Sequence, residues 1–308
     1  MKIVIAGGSG LIGRAICEAL LAAGHRPVVL TRDSARASDR IRGVDLATWD
    51  PSVAGDWERA LVGAGAVINL AGASIGRWPW TAARKRILLE SRLVATRALV
   101  DAIERLPAAH RPAVLLSASG TDLYEGLDAS RADETTPPAD TFLSRLCVAW
   151  EAEASRAELL GLRVVLMRTS SVIAPGAPAL RVLALPFRLF VGGRLGSGRQ
   201  WMSWVDLSDA VGLYLWALRT TDVSGPLNVA APDPRSQADF ARALGAALHR
   251  PSRFPTPAWI IRLLLRDQAS LALGSRRIWP AKALASGYAF RVPRLEDSLG
   301  EAFGPRRP

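Results

Sequence analysis

The glycine-rich segment Ile3–Gly13, IVIAGGSGLIG, has residue types and spacing that suit phosphate binding. A short apolar run is followed by a turn in which Gly7, Gly10 and Gly13 have the spacing G-x-x-G-x-x-G. A phosphate needs bare backbone N–H groups with no Cβ in the way, and a helix N-terminus adds partial positive charge. Because the glycines follow a predicted strand and precede a predicted helix, the segment predicts dinucleotide binding.

The end of the second predicted strand, PVVLT at 27–31, indicates which dinucleotide is bound. An acidic residue there binds a ribose 2′-hydroxyl and selects NAD, whereas a basic residue accommodates a 2′-phosphate and selects NADP. Thr31 and Arg32 stand at this position, and Asp33 lies one residue beyond the position from which an acidic side chain would bind the ribose. A guanidinium binds phosphate through two parallel hydrogen bonds. We therefore predict NADP(H), with a solvated Arg32–Asp33 turn as the alternative.

Strands and helices alternate along the first part of the chain, which is typical of parallel βαβ units. The predicted fold is α/β, a Rossmann-type doubly wound parallel sheet with a smaller C-terminal α+β substrate or lid domain. A ligand is then expected at the carboxyl ends of the strands. Further strands are predicted at 44–49, 65–70, 114–117 and 164–168, and helices at 11–23, 57–62, 80–105 and 142–160.

The alternation changes beyond Arg168, so we predict two domains. Residues 1–175 would form the NADP-binding Rossmann domain, with segments near 203–232 returning to it. Residues 176–308 would form the smaller domain, with a tail module at about 250–303. The glycine-rich segment 193–206 is expected to be part of a substrate or partner lid that orders over the nicotinamide end of the cofactor. The alternative is a static connection whose tryptophans pack against the sheet. Later elements are predicted at 210–218, where Asp209 would be the N-cap, and at 227–230, 237–248 and 295–302.

Composition excludes several classes of protein. The net charge is +11, but the arginines are scattered, without a lysine-rich tail or interleaved aromatic residues, so no nucleic-acid partner is expected. No apolar run reaches the length of a membrane span, since the stretch at 182–191 is broken by Pro186 and Arg188, and no membrane partner is expected. Met1 leads directly into the first strand, and Cys17 and Cys147 are predicted to be reduced. A cytoplasmic monomer or homodimer is expected.

Asn69–Gly72, NLAG, resembles the N-x-A-G motif of the short-chain dehydrogenase/reductases. With the opening glycines, the chain resembles the extended branch of that superfamily, and further motifs narrow the match to its atypical, epimerase-like subfamily. The resemblance covers essentially the whole chain, including a C-terminal module typical of that subfamily. The further motifs are WPWTAARKRILLESR at 78–92, SAS at 117–119, WE at 150–151, GRLGSGRQ at 193–200, SWVD at 203–206, NVAAP at 228–232 and RIWPAKALASGYAFRVP at 277–293.

The resemblance implies a set of cofactor-binding residues. Thr31 and Arg32 would hold the 2′-phosphate, and Asp50 is a further candidate for the adenine edge unless it only begins the Asp50–Pro51 turn. The pyrophosphate would lie on Gly7, Gly8, Ser9, Gly10, Leu11, Ile12 and Gly13, and the rest of the cofactor along Leu70, Ala71, Gly72, Arg92, Ser117, Arg168 and Val172.

The catalytic pair of this superfamily, Tyr-x-x-x-Lys, is missing from the sequence. Lysine lowers the pKa of the tyrosine so that its hydroxyl can move a proton. The corresponding helix reads TFLSRLC, which places Phe142 and Leu146 at the two positions. Ser119 could instead hold a substrate oxygen, or bond only to a turn backbone. Tyr124 could offer a hydroxyl, whose pKa is expected near about 10.

Tryptophans are the remaining candidates for a substrate pocket. Trp78, Trp201 and Trp204 could supply flat apolar walls, or could equally pack an interface between domains. No histidine, cysteine or acidic cluster has the spacing of a metal site. Two functions fit the sequence. One is an NADP(H)-dependent oxidoreductase that passes a hydride to an unknown small or sugar-like substrate. The other is a catalytically inactive NADP(H)-binding sensor or regulatory protein.

Overall fold

The fold is organised by a parallel sheet, described in a computed structural model that covers residues 1–124, 126 and 131–304. Within these residues, seven strands follow the order β10-β6-β5-β4-β1-β2-β3, and each neighbouring pair is parallel. The strands are β1 (Lys2–Ala6), β2 (Arg26–Thr31), β3 (Asp45–Thr48), β4 (Ala66–Asn69), β5 (Val114–Gly120), β6 (Arg163–Thr169), β7 (Ser171–Ile173), β8 (Trp201–Met202), β9 (Trp204–Asp206), β10 (Gly225–Val229) and β11 (Arg235–Ser236).

Helices cover both faces of this sheet. In β1, Ile3 and Ile5 pack toward one face while Val4 and Ala6 pack toward the other, as the period of two in a strand requires. Helices α1 and α6 lie together on the first face, and α3 and α4 lie together on the second. The helices are α1 (Leu11–Ala22), α2 (Ser34–Ser38), α3 (Ala82–Glu104), α4 (Phe142–Ser155), α5 (Pro178–Arg188), α6 (Leu207–Arg219), α7 (Gln237–Ala247), α8 (Ala258–Leu265), α9 (Ser270–Leu273), α10 (Ala281–Ala285) and α11 (Leu295–Phe303).

The predicted fold class is confirmed, and most element boundaries agree within a few residues. The predicted helix at 57–62 is instead a single 3₁₀ turn, Asp56–Ala60. The predicted helix at 142–160 ends at Ser155 and continues as a 3₁₀ segment, Arg156–Leu160. The chain returns to the main sheet through β10, which pairs with β6. The division of the chain at 175 and 176 stays a prediction.

Buried aspartates join the later part of the chain to the sheet. Asp206, not Asp209, is the N-cap of α6, because its Oδ1 accepts the backbone N–H of Ser208 at 2.8 Å. Asp209 is fully buried and accepts the backbone N–H groups of Arg291 and Val292, each at 2.8 Å. Burial nevertheless raises the pKa of Asp209. The predicted capping role of Asp209 is therefore wrong, and its carboxylate instead holds the segment before α11.

Both cysteines, Cys17 and Cys147, are buried and carry no disulfide. Burial raises the pKa of each thiol to about 12. Neither thiol is therefore an accessible nucleophile. Among the described residues, no helix has the length and apolarity that a membrane crossing requires.

Candidate functional site

The turn after β1 has no room for side chains at Gly7, Gly8 and Gly13. Gly7 has φ of +79°, and a Cβ there would lie 2.8 Å from the backbone carbonyl of Leu70. A Cβ on Gly8 would lie 2.7 Å from a methyl group of Val29, and one on Gly13 would lie 2.6 Å from the oxygen of Gly7. The strand, the turn and the helix therefore approach one another as closely as their backbones allow. Backbone atoms, rather than side chains, form the surface of the site at this turn.

The N-terminus of α1 is an open set of donors. Gly10 is the N-cap, so no side chain caps the helix, and its first turn contains no acidic residue. The first intrahelical bond runs from the Arg14 N–H to the Gly10 carbonyl at 3.0 Å. The preceding N–H groups of Leu11, Ile12 and Gly13 have no intrahelical partner, and the helix dipole places positive charge at the same point. This arrangement suits a pyrophosphate.

A cleft of about 760 Å³ lies over the carboxyl ends of β1, β2 and β4. This volume is in the range of sites for cofactor-sized ligands. Gly8, Leu11, Ile12 and Gly13 belong to the turn and first helical turn beside the cleft, whereas Arg92, Ser117, Arg168 and Val172 do not line it. The predicted residues that do line it are Gly7, Ser9, Gly10, Thr31, Arg32, Asp50, Leu70, Ala71 and Gly72.

One end of the cleft is basic. Arg32, Arg36 and Arg40 all line it, and the sequence analysis missed the last two. Arg36 lies within α2 and Arg40 lies beyond its end, so neither stands at the strand terminus that singles out Arg32. The Asp33 carboxylate accepts the backbone N–H of Arg36 at 2.9 Å and caps α2. The one acidic group close to Arg32 in sequence is thus engaged in capping, and the arginines are left to set the charge of this end.

Thr31 and Asp50 line the cleft but also bond locally. The Thr31 hydroxyl accepts the Asp33 N–H at 3.3 Å and donates to the Asp33 carbonyl at 3.2 Å. The Asp50 carboxylate accepts the Ser52 N–H at 2.9 Å, so it does form the predicted turn. Trp49, which precedes Asp50, also lines the cleft, and its indole N–H is buried with no partner among the described residues.

Asn69 shapes the turn that follows β4. Its side-chain oxygen accepts the Ala71 N–H at 3.1 Å, and its amide donates to the hydroxyls of Thr96 at 2.9 Å and Ser117 at 3.4 Å. These bonds hold Leu70–Gly72 against the cleft. Ser117 itself has no exposed surface. The prediction that Ser117 binds the cofactor is therefore corrected, since its hydroxyl is used within the sheet.

Arg92 supports this turn from behind. Its guanidinium donates to the carbonyls of Ala73 at 3.1 Å and Leu88 at 2.9 Å, and it lies 5.0 Å from the Trp150 ring. Burial lowers its pKa. A Cβ on Gly72 would lie 3.1 Å from the Arg92 guanidinium carbon. Arg92 therefore packs directly under the cleft wall, and its contact with a cofactor stays a prediction.

A buried polar network fills the region in which catalytic groups were expected. Arg168 forms two parallel hydrogen bonds to Glu151, at 2.8 and 2.7 Å. The Ser119 hydroxyl donates to the same carboxylate at 2.6 Å. Arg168 also donates to the Tyr124 hydroxyl at 2.5 Å, which in turn donates to Asn228 at 3.1 Å. Because all of these residues are buried, the network connects α4, β5, β6 and β10 within the protein interior.

This network corrects several sequence-based expectations. The Ser119 proton is committed to Glu151, so Ser119 is not free to donate to a substrate oxygen. Tyr124 has no exposed surface, and burial raises its pKa to about 12 rather than leaving it near the ordinary value. Neither residue is placed for catalysis. Arg168 is a buried ion-pair partner, and Val172 packs against the core in β7, so neither lies in the cleft wall.

The two positions at the start of α4 that would carry the catalytic pair contain no group that can exchange a proton. Phe142 packs edge-on against Trp80, with ring centres 5.8 Å apart, and Leu146 is buried. The α4 side chains at the end of β5 include Cys147, whose Sγ would lie 3.5 Å from a Cβ on Gly120, and Glu151, which accepts the Ser119 hydroxyl at 2.6 Å.

The three candidate substrate tryptophans are dispersed, and none of them lines the cleft. Trp78 is exposed and donates to the Leu264 carbonyl at 3.2 Å, while Trp201 lies under the Arg277 guanidinium at 4.1 Å. Trp204 has no exposed surface and donates to the Asp233 carbonyl at 2.7 Å. The expectation that Trp204 lines a substrate pocket is therefore wrong, because it is a core residue.

The segment 193–206 is a fixed connection rather than the predicted lid. The buried Gln200 amide donates to the carbonyls of Leu195 at 3.0 Å and Ala272 at 3.3 Å. The Ser203 hydroxyl donates to the Arg276 carbonyl at 2.8 Å and accepts the Ile278 N–H at 2.8 Å. These bonds tie the segment to the C-terminal module along its length.

The glycine turn, the uncapped helix and the cleft at the switch point of the sheet define a dinucleotide-binding protein of the Rossmann class. Residues 3–230 match the NAD dependent epimerase/dehydratase family, and residues 256–302 match a domain of unknown function, DUF1731. The chain belongs to the NAD dependent epimerase/dehydratase family. The predicted resemblance to an epimerase-like short-chain dehydrogenase/reductase is thereby confirmed.

Relatives from several kingdoms match along the whole chain. Epimerase family protein SDR39U1 of Bos taurus is 35% identical over 306 residues, covering 98% of this chain and 99% of that protein. The homologue from Arabidopsis thaliana, named chloroplastic, is 32% identical over 299 residues, covering 97% of this chain and 86% of that protein. Since relatives differ in compartment, the cytoplasm stays a prediction for this chain.

Solved structures agree with the fold. The crystal structure of human SDR39U1 with NADPH has a TM-score of 0.85 and 31% identity, covering 98% of this chain and 99% of that one. The predicted cofactor is thus the one present with that relative. A UDP-glucose 4-epimerase from Thermotoga maritima has a TM-score of 0.80 at 16% identity, covering 98% of this chain and 97% of that one, a likeness of fold alone.

Proposed function

We propose that this chain binds NADP(H) in the cleft over β1, β2 and β4, with the 2′-phosphate among Arg32, Arg36 and Arg40. The basic end of the cleft carries the proposal. Guanidinium groups bind phosphate oxygens in pairs and stay charged at every physiological pH. Asp33 also lines this end, but one of its carboxylate oxygens caps α2, and three guanidinium groups outnumber its single negative charge.

The rest of the cleft fits the same cofactor. The pyrophosphate would lie on the backbone N–H groups at the N-terminus of α1, where a Cβ on Gly7 or Gly13 would obstruct the turn. The adenine would lie near Trp49 and Asp50, and Leu70–Gly72 would border the path toward β5. When bound, the nicotinamide supplies or accepts a hydride. The chain's own residues bind and orient the dinucleotide.

Titration with NADPH and NADH tests this proposal. We expect tighter binding of NADPH, and a roughly ten- to hundredfold loss of NADPH affinity in Arg32→Ala, because a charge-assisted hydrogen bond contributes about 1.5–3 kcal/mol. Arg36→Ala is expected to weaken NADPH binding in the same direction and to leave NADH binding unchanged. Arg42→Ala is the matched control, since Arg42 is exposed and does not line the cleft. Equal affinities for the two dinucleotides in the unmodified protein would contradict the proposal.

The geometry favours a protein that binds NADP(H) without tyrosine-based proton transfer. Ser119 and Tyr124 are held in the buried network, and Phe142 and Leu146 cannot exchange protons. A catalytically inactive sensor or regulatory protein is therefore the function we infer. Hydride transfer to a small or sugar-like substrate is the second candidate, and family membership favours it.

The Phe142→Tyr variant separates these two functions. We expect it to keep wild-type NADPH affinity, because Phe142 packs against Trp80 away from the cleft. We also expect no NADPH oxidation with nucleotide-sugar or carbonyl substrates. Leu146 supplies no positive charge one helical turn later, and the Lys85 ammonium, 5.2 Å from the Phe142 ring, is paired with Asp267. The measurement is NADPH absorbance over time at saturating cofactor. Robust turnover in this variant would show that a substrate pocket exists and would favour the second candidate.

A further inference from the structure

Two segments of the C-terminal half carry unbalanced positive charge. Arginine is the only charged residue type within residues 175–205 and within residues 240–266. These segments contact each other, because the Phe254 N–H donates to the Gly192 carbonyl at 3.1 Å and the Thr256 N–H donates to the Arg194 carbonyl at 2.9 Å. The Arg250 guanidinium also lies 4.5 Å from the Phe190 ring. We call the surface they form the basic face.

Large apolar side chains are exposed on the basic face. Helix α5 buries Leu180, Ala184 and Phe187, yet its opposite side is also apolar. The outward stripe includes Val182 and Leu185, which are 71% and 55% exposed. Leu189, Phe190, Phe254 and Trp259 continue the exposed apolar surface beyond α5 and onto the start of α8. Several large exposed apolar side chains on neighbouring segments mark an interaction surface.

An arginine-lined cavity lies beside these apolar side chains. Arg194, Arg242, Arg253 and Ser252 line a volume of about 380 Å³ between α7 and the segment before α8. Arg242 pairs with Asp239 of α7, so Arg194 and Arg253 carry the excess positive charge of this cavity. Phe254 follows Arg253 directly and is exposed. Guanidinium groups and a hydroxyl around one cavity suit a phosphate. This cavity shares no residue with the cleft assigned to NADP(H).

We propose that the basic face binds the surface of a membrane that contains anionic phospholipid, with a headgroup phosphate in the arginine cavity. The apolar side chains would enter the boundary between headgroups and acyl chains, while the arginines stay at headgroup level. An anionic surface attracts each arginine near it. A second copy of the chain would bring the same positive charge to the contact, which opposes self-association through this face. The sequence predicted no membrane partner because no apolar run is long enough to span a membrane. Binding to a membrane surface needs no such run, so this proposal departs from that prediction.

Sedimentation with lipid vesicles tests this proposal with the full chain. We expect co-sedimentation with phosphatidylcholine vesicles that contain phosphatidylglycerol, little with phosphatidylcholine alone, and release by salt. Arg194→Glu/Arg253→Glu should reduce partitioning at least about tenfold. Leu185→Ser/Phe254→Ser should reduce it to a similar extent. The matched control is Arg42→Glu/Arg219→Glu, which makes the same charge change at exposed sites outside the basic face.

Each other outcome overturns the proposal. If the control variant reduces partitioning as strongly as Arg194→Glu/Arg253→Glu does, the loss reflects only the net charge of the protein. Binding to polyglutamate with no binding to either vesicle would assign the face to an acidic protein. If light scattering gives twice the mass of one chain, and Leu185→Ser/Phe254→Ser restores the mass of one chain, the face binds a second copy instead. NADPH affinity, measured in parallel, should be unchanged in every variant, so the result is independent of the proposed cofactor function.

Discussion

Replacing Glu151 with glutamine is expected to lower the free energy of unfolding by about 3–5 kcal/mol. Glu151 and Arg168 are each buried, and the carboxylate is the partner that offsets the buried guanidinium charge. Burial alone would lower the pKa of Arg168, but its hydrogen bonds and ion pair with Glu151 raise it. Removing the negative charge leaves Arg168 ionised inside the protein. The Ser119 hydroxyl loses its charged acceptor at the same time.

Urea unfolding of Glu151→Gln and of Asp140→Asn measures this effect against a control. Asp140 pairs with Arg145 at the start of the same helix, but both side chains are exposed. An exposed pair contributes about 0–1 kcal/mol, so Asp140→Asn should unfold close to the wild-type midpoint. Similar midpoints for the two variants would show that the network around Glu151 does not stabilise the fold.

Gly13→Ala is expected to weaken NADPH binding at least about a hundredfold. The new Cβ would lie 2.6 Å from the Gly7 oxygen and from the Gly8 Cα, both of which are backbone atoms. The turn must therefore shift, and the N–H donors at the start of α1 move with it. Loss of two charge-assisted hydrogen bonds, at about 1.5–3 kcal/mol each, accounts for the expected change. Calorimetric titration with NADPH measures it directly.

Gly300→Ala is the matched control for this substitution. Gly300 lies within α11, and a Cβ there would meet no atom within 4 Å. Alanine in a helix interior is favoured over glycine by about 0.8–1.0 kcal/mol, so Gly300→Ala should raise the thermal midpoint slightly. At Gly13 the clash should outweigh this gain and lower the midpoint. A Gly13→Ala protein that is stabilised and binds NADPH normally would contradict the close approach of α1 and β1.

The sequence predicted those features that depend on local pattern. Apolar runs of strand length, separated by amphipathic helices, predicted the parallel sheet, and the spacing of Gly7, Gly10 and Gly13 predicted the turn between β1 and α1. Arg32 could be predicted as a phosphate-binding residue because it directly follows the end of the second predicted strand. Arg36 and Arg40 could not be found in this way, because they lie within α2 and beyond its end rather than directly after β2.

Features that depend on contacts between distant segments could not be predicted. Ser119 looked available because nothing near it in sequence shows that Glu151, on α4, takes its proton. Trp204 resembled a pocket residue, since its burial depends on a hydrogen bond to Asp233 across a loop. Asp209 resembled a helix cap for the same reason, as its partners stand more than eighty residues later. Side-chain roles of this kind follow from tertiary structure rather than from residue type.

The bonds of Asp209 also bear on the order in which the protein can fold during synthesis. Its carboxylate is buried and accepts the backbone N–H groups of residues 291 and 292, which the ribosome adds more than eighty residues after Asp209. N-terminal parts of a protein generally begin to fold first. In this protein, α6 can form on the nascent chain, but its buried carboxylate stays uncompensated until residues 291 and 292 emerge. Nascent chains stalled before residue 291 should therefore remain protease-sensitive around α6, and native protection should appear only once residues 291 and 292 have left the ribosome.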